Sequence, residues 1–189
     1  MIPYEPLNIW LPEDHRLYEQ VKTFEYGQAT TEAYSKDRTF LRHGLSKKEF
    51  ECVPPLLDVI ERHGMISKVF MLEPNSTYDW HGDAYRYIAI NCLLSYENTD
   101  YITLFCTELE KYSEVYFKST RLVYEPRRFY MFNTQVPHMV SNFSDKPRYL
   151  LSIAPYTTSK IPFNMDPLKT DFSTFLKIRD EFLQLGLIS

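Results

Sequence analysis

The chain has 189 residues, 44% of them hydrophobic and 24% charged, with a formal net charge of −4. That length supports one well-buried core and reads as a single domain, and the charge balance lacks the basic surplus of a dedicated nucleic-acid binder. No run of about 18 apolar residues is present to span a membrane.

The start, Met1-Ile-Pro-Tyr-Glu-Pro6, lacks the charged head and apolar core of a secretory signal. Cys52, Cys92 and Cys106 are odd in number and widely spaced, a pattern of reduced thiols in a cytoplasmic protein. Two basic clusters, Lys118 to Arg121 and Arg127-Arg128, read as solvated faces. Neither nucleic acid nor membrane is therefore an expected partner. Aromatic residues reach 16%, with 15 Tyr and 13 Phe against 5 Gly, which favours strands and aromatic-walled clefts.

In chain order, a helix is expected over residues 13–23 and another from Ser46, where Ser46-Lys-Lys-Glu49 has capping-box spacing. Pro54-Pro55 breaks or restarts it, and a continuation through Arg62 stops at Gly64. The first third, about 1–65, thus reads as helices and loops. From Ile66 short apolar or alternating runs take over, at 66–72, 87–94, 101–106, 121–124, 129–132, 138–141 and 148–154. Turns are expected at 73–77 and 97–100. Strands at this spacing predict an all-β sandwich, barrel or jelly roll over about 66–156. An amphipathic helix over about 172–185, with Phe172, Phe175, Leu176, Phe182 and Leu183 on one side, packs outside it.

Of the five histidines, His15, His43 and His63 lie among charged neighbours in the first third and read as surface or structural residues. His81 and His138 lie at predicted strand edges. In an extended chain residues two apart share a face, so His81 and Asp83 can converge on one point. An imidazole nitrogen and a carboxylate oxygen suit Fe(II), Mn(II) or Zn(II). Alone the motif is weak, because a loop histidine bonded to a nearby aspartate gives the same spacing. His138 supplies a third ligand, and two histidines with one carboxylate leave positions open as in non-haem iron oxygenases. A structural zinc site would want a fourth ligand, and no cysteine is suitably placed.

The segment Asn142-Phe-Ser-Asp-Lys146 reads as a hairpin turn, which would set residue 138 opposite residue 148 on one face. An arginine beside a metal ligand calls for an anion between them, and guanidinium matches a carboxylate. The alternative for Arg148 is a surface residue bridging to Asp145 or Glu125. Tyr78, Trp80, Tyr85 and Tyr87 are candidates either for a cleft wall or for plain core and rim packing.

His-x-Asp, a later His and an Arg ten residues beyond it resemble the 2-oxoglutarate/Fe(II) dioxygenases, most nearly the aspartyl/asparaginyl β-hydroxylase-like branch, which includes proline hydroxylases. The matching text runs Trp80-His-Gly-Asp-Ala-Tyr-Arg-Tyr-Ile-Ala-Ile-Asn91, then Pro137-His-Met-Val-Ser-Asn142 and Pro147-Arg-Tyr-Leu-Leu-Ser152. The resemblance implies a double-stranded β-helix, a cupin-like jelly-roll barrel. It implies His81, Asp83 and His138 as iron ligands, Arg148 on the distal carboxylate of 2-oxoglutarate, and Arg86 on a cosubstrate or substrate carboxylate. Strict alternation from Asp83 would turn Arg86 away unless Ala84-Tyr85 forms a loop or bulge. The implied reaction consumes O2 and 2-oxoglutarate, releases succinate and CO2, and hydroxylates a C–H bond. Its substrate would be an amino acid or a peptidyl side chain, with proline, aspartate and asparagine as candidates. The rival readings are another metal-binding cupin (an isomerase or a different dioxygenase) and a β-sandwich binding module without catalysis.

Overall fold

The structure, a computed structural model, describes residues 3–28, 40–95, 100–111, 115–162, 166 and 170–188. Eleven strands and three helices follow in chain order: β1 Tyr4–Trp10, α1 Leu17–Gln20, β2 Gly27–Gln28, β3 Phe40–Leu45, α2 Pro54–Arg62, β4 Ile66–Leu72, β5 Ser76–His81, β6 Ile88–Leu93, β7 Tyr101–Lys111, β8 Val115–Leu122, β9 Arg128–Asn133, β10 His138–Asn142, β11 Arg148–Ala154 and α3 Ser173–Gln184.

From β4 onward, successive strands are dealt to two antiparallel sheets. One has the order β1-β9-β6-β11-β4-β3-β2 and the other β5-β10-β7-β8. Within the eight strands β4 to β11, the first sheet thus takes the first, eighth, third and sixth, and the second takes the second, seventh, fourth and fifth. That interleaving is the jelly roll, a double-stranded β-helix.

The larger sheet is covered on both faces. Leu151, Ile153, Val69, Ile88, Ile90, Cys92, Phe129 and Met131 join Leu56, Val59 and Ile60 of α2 and Phe175, Ile178 and Phe182 of α3 in one apolar layer. On the other face Leu93, Tyr130 and Phe132 meet Phe105 and Leu122 of the smaller sheet. Burial on both sides explains why every residue of β6 is buried and why its sequence, Ile-Ala-Ile-Asn-Cys-Leu, does not alternate. Residues of β11 alternate instead between the helical layer, at Leu151 and Ile153, and the barrel interior, at Arg148, Leu150 and Ser152.

The first third departs from its expected helical character. β1 and β3 extend the larger sheet at opposite ends. Leu7 and Ile9 of β1 are buried while Asn8 and Trp10 are exposed, a short alternation obscured by Pro3 and Pro6, and an edge strand tolerates Pro6. The helix expected over 13–23 contracts to α1. Ser46 does cap, its Oγ accepting from Lys48 N, but it opens a single 3-10 turn, Lys47–Phe50. Glu49 turns instead to Arg16, in paired hydrogen bonds of 2.7 and 3.0 Å. Pro54 and Pro55 begin α2, and Gly64, at φ +57°, follows its end as expected.

Later boundaries shift by a few residues, and β7 and β8 are longer than their sequence signals. β5 was not foreseen. The turn expected at 97–100 falls, except for Asp100, outside the described residues. The basic clusters are partly paired, Lys118 with Glu108, Arg127 with Glu13 and Arg128 with Glu125. No helix among the described residues is long and apolar enough to cross a membrane.

Candidate metal and anion site

β5 and β10 are adjacent antiparallel strands, and their register sets His81 opposite His138. The imidazole centroids are 4.3 Å apart. The next pair on this ladder is Tyr78 with Val140, so β5 advances three residues where β10 advances two. This β-bulge lets Tyr78 and His81, three apart, turn to the same side; their rings meet edge-on with centroids 4.1 Å apart.

Each imidazole is held in the same way. His81 Nδ1 lies 2.6 Å from Asp79 O and His138 Nδ1 lies 2.9 Å from Val136 O. A carbonyl only accepts, so both Nδ1 atoms carry the proton and both Nε2 atoms keep a lone pair. Burial, with His138 alongside, pushes the His81 pKa down to about 3. Burial likewise lowers His138. Both rings are therefore neutral near pH 7.

Asp83 completes the group. The chain leaves the sheet after His81, and residues 82–87 form a loop with bends at Ala84 and Tyr85. The turn between β9 and β10 fixes that loop: Asp83 N donates to Thr134 O at 2.9 Å, and Gln135 Nε2 donates to Asp83 O at 2.7 Å and Arg86 O at 2.9 Å. One ligand atom from each of His81, Asp83 and His138 lies within 4.8 Å of the other two. Burial opposes ionisation of Asp83, but the Arg86 guanidinium foremost, by charge and hydrogen bond, outweighs it and holds the carboxyl below its ordinary pKa. The cluster offers two imidazole nitrogens and one carboxylate.

The bends at Ala84 and Tyr85 also return Arg86 to the site. Its Nε donates to Asp83 Oδ2 at 2.7 Å, its Nη1 to Ser152 Oγ at 3.0 Å, and its guanidinium lies 5.4 Å from the Phe70 ring centre.

Arg148 reaches the barrel interior by a route other than the expected hairpin. β10 and β11 belong to different sheets, so residue 138 pairs with His81 and Phe105, and residue 148 pairs with Leu72. The intervening segment crosses from sheet to sheet, and the Asn142 amide ties the crossing down by donating to Leu72 O, Glu73 O and Lys146 O. The surface alternative is also excluded, since Arg148 is 2% exposed. Its Nη2 donates to Thr103 Oγ1 at 2.8 Å across the barrel, and the guanidinium faces the rings of Tyr101 at 5.0 Å and Tyr124 at 5.7 Å. Its Nε is buried without a hydrogen-bond partner. Burial lowers its pKa, and among the described residues its neighbours in charge are the hydroxyls of Tyr124 and Tyr101.

Several interior groups carried no sequence signal. Thr103, Ser152 and Gln135 are buried polar side chains in apolar strands or turns, and isolated polar residues in such runs have no distinguishing period. Asn91 of β6 pairs with Ser152 in register, and its Oδ1 is buried without a partner. Of the aromatic candidates, Tyr78 packs on His81, Tyr85 is exposed and Tyr87 packs against the apolar layer under the helices. Lys68, opposite Ser152 in register, lies over the ring of Tyr156 at 3.9 Å.

No family model matches the chain, and no curated protein matches it in sequence. Solved structures do match in three dimensions. A Pseudomonas putida prolyl-4-hydroxylase aligns at TM-score 0.57 and 12% identity, covering 82% of this chain and 92% of its own. A Trichoplax adhaerens prolyl hydroxylase, in complex with a hypoxia inducible factor oxygen degradation domain peptide, aligns at 0.58 and 13%, covering 82% and 83%. The non-haem α-ketoglutarate-dependent epimerase SnoN from nogalamycin biosynthesis aligns at 0.56 and 9%, covering 86% and 82%. It also matches at 0.55 in its complex with Fe3+, α-ketoglutarate and nogalamycin RO. At these identities the likeness is one of fold, and the chain is a double-stranded β-helix protein of the architecture shared by prolyl hydroxylases and an α-ketoglutarate-dependent epimerase.

Proposed function

We propose that this protein is a 2-oxoglutarate- and Fe(II)-dependent dioxygenase that hydroxylates a C–H bond of an amino acid or a peptidyl side chain. The observation that carries the reading is Arg148. A fully buried guanidinium with an unpartnered Nε and, among the described residues, no carboxylate beside it is costly to maintain. A carboxylate entering the barrel would satisfy it through paired, charge-assisted hydrogen bonds. The other metal-binding cupin reading keeps the triad and leaves this arginine without a purpose.

The donor set fits the metal. His81 and His138 present neutral Nε2 atoms, Asp83 is held ionised, and two nitrogens with one carboxylate suit a non-haem Fe(II) with positions left open. Bound there with 2-oxoglutarate and O2, the iron supplies the oxidising chemistry that couples decarboxylation to succinate and CO2 with hydroxylation. The chain's own residues bind and orient. Arg148, steadied by Thr103 and flanked by Tyr101 and Tyr124, holds the far carboxylate of the cosubstrate. Phe105, Leu93 and Phe132 make the surrounding barrel interior apolar, which favours tight electrostatic recognition there. The fold shared with two prolyl hydroxylases supports an amino-acid or peptide substrate, with proline, aspartate and asparagine as candidates.

The test is turnover with Fe(II), 2-oxoglutarate and O2 in the presence of free L-proline, L-aspartate, L-asparagine and peptides containing them. The proposal expects succinate in step with a product heavier by one oxygen atom. Succinate with a product of unchanged mass would overturn hydroxylation in favour of another oxidation, epimerisation included. No metal-dependent consumption of 2-oxoglutarate by the protein, with or without these substrates, would overturn the cosubstrate.

A further inference from the structure

We infer that Arg86 is a positioning residue that presents Asp83 to the metal through one carboxylate oxygen, and that it is not an anchor for the cosubstrate. The inference rests on the metal-site reading above. Asp83 lies in a loop, where a side chain lacks the fixed direction that a strand imparts. The ion pair supplies that direction. Arg86 Nε donates to Oδ2 at 2.7 Å, which occupies that oxygen and leaves Oδ1 for a metal. The guanidinium is itself fixed at its far side, where Nη1 donates to Ser152 Oγ at 3.0 Å on β11 and Phe70 of β4 lies beneath it.

The backbone of the same loop is held with equal care. Gln135 binds the carbonyls of both Asp83 and Arg86, and Thr134 Oγ1 donates to Arg86 O at 2.6 Å. The pair is therefore tied to the turn that leads into β10, which carries His138, and to β11, which carries Arg148. Their side chains are 13% and 16% exposed, so solvent screens the pair little. Nε on Asp83 and Nη1 on Ser152 engage two of the three guanidinium nitrogens of Arg86 inside the protein, whereas the Nε of Arg148 is bare.

Two physical effects oppose each other at Asp83. The positive charge of Arg86 repels a divalent cation, while its hydrogen bonds fix the ligand's rotamer. Partners that orient a metal ligand are worth about 10- to 100-fold in metal affinity, so the second effect is the larger. The decisive experiment measures Mn(II) and Fe(II) affinity of the full chain without oxygen, and then 2-oxoglutarate affinity at saturating metal, for the native protein, Arg86→Met, Arg86→Lys and Ser152→Ala. The expected result is metal binding about 10- to 100-fold weaker in Arg86→Met, smaller losses in Arg86→Lys and Ser152→Ala, and unchanged 2-oxoglutarate affinity throughout. Thermal unfolding reports whether each variant is folded, and Ser152→Ala tests the strut without touching the ion pair should Arg86→Met fail to fold. Metal affinity that is unchanged or higher in the Arg86 variants overturns the inference, as does a loss confined to 2-oxoglutarate affinity. Failure of the native protein to bind metal at all would instead overturn the site reading on which the inference rests.

Discussion

Arg148 and Thr103 join the two sheets of the barrel from within: a guanidinium at the start of β11 donates a 2.8 Å hydrogen bond to a hydroxyl on β7. The bond satisfies one face of a buried cation and leaves Nε bare. A barrel interior lined by aromatic rings is a poor place for an uncompensated charge, so this arginine costs the fold stability and is explained by what it can bind.

That cost has a measurable sign. Arg148→Met removes a buried charge and keeps an unbranched apolar side chain of comparable length, so Tm should rise or stay unchanged. The same substitution should weaken 2-oxoglutarate binding by at least about 2 kcal/mol, the scale for losing one partner of a buried, hydrogen-bonded charge pair. Calorimetric unfolding and a binding titration on the same variant check both halves. A variant that loses stability and retains affinity would contradict the role given to Arg148.

Gln135 is expected to matter to the site without touching it. Its amide donates two hydrogen bonds to the loop that carries Asp83, and the residue is buried. Gln135→Leu removes the side-chain donor to Asp83 O, while Arg86 O keeps Thr134 Oγ1, and should cost about 1–3 kcal/mol of stability. It should also weaken Mn(II) binding by loosening Asp83, which a titration followed by electron paramagnetic resonance reads directly.

The helical layer should carry stability and no chemistry. Phe182 of α3 is fully buried beneath the larger sheet, on the face opposite the barrel interior. Phe182→Ala should lower stability by about 3–5 kcal/mol while the residual folded fraction binds metal and 2-oxoglutarate as the native protein does. Denaturant unfolding combined with titration well below the transition separates the two.

The thiols give a pH-dependent check on the fold. Partial desolvation, together with nearby Asp14 and Glu49, raises the pKa of the surface thiol Cys52, so its thiolate is scarcer at any given pH than that of a free cysteine. Alkylation of Cys52 should therefore be slow near pH 7.5 and accelerate as pH rises. Cys92, fully buried with its pKa raised by burial, should react on the unfolding timescale alone. Mass spectrometry of peptides after timed alkylation distinguishes them.

The parts of this molecule legible in its sequence are those whose residue types are chemically unusual or whose period is regular. His81, Asp83 and His138 stand out because a His-x-Asp pair and a later His at strand edges form a recognisable donor set, and the structure gathers all three. β11 was legible to the residue, because its apolar run is bounded by Pro147 before and a polar stretch after. β5 was missed because Ser76, Thr77, Asp79 and His81 are polar, its other residues are only half buried, and its start overlaps the turn expected at 73–77. β1 and β3 were missed because short strands at or next to the ends of a sheet, among prolines and charges, carry little pattern.

Arg148 was singled out for a partly mistaken geometric reason. A hairpin would have set it opposite His138, whereas the jelly-roll crossover sends β10 and β11 to different sheets. Local turn chemistry reads the same in both cases, and the long-range pairing that decides between them is absent from any window of sequence. The pinning by Gln135 and the strut from Arg86 to Ser152 were illegible for the same reason, since their partners lie about 50 and 66 positions away.

The central claim is that one cosubstrate joins the triad to Arg148, and a single anaerobic spectrum addresses it. Fe(II) and then 2-oxoglutarate are added to the purified protein, and to Arg148→Ala and His138→Ala, with the visible absorbance recorded after each addition. The account predicts a weak charge-transfer band in the native protein that is lost in His138→Ala and lost or strongly weakened in Arg148→Ala at the same 2-oxoglutarate concentration. Metal binding without any band, or a band of equal strength in Arg148→Ala, would contradict it.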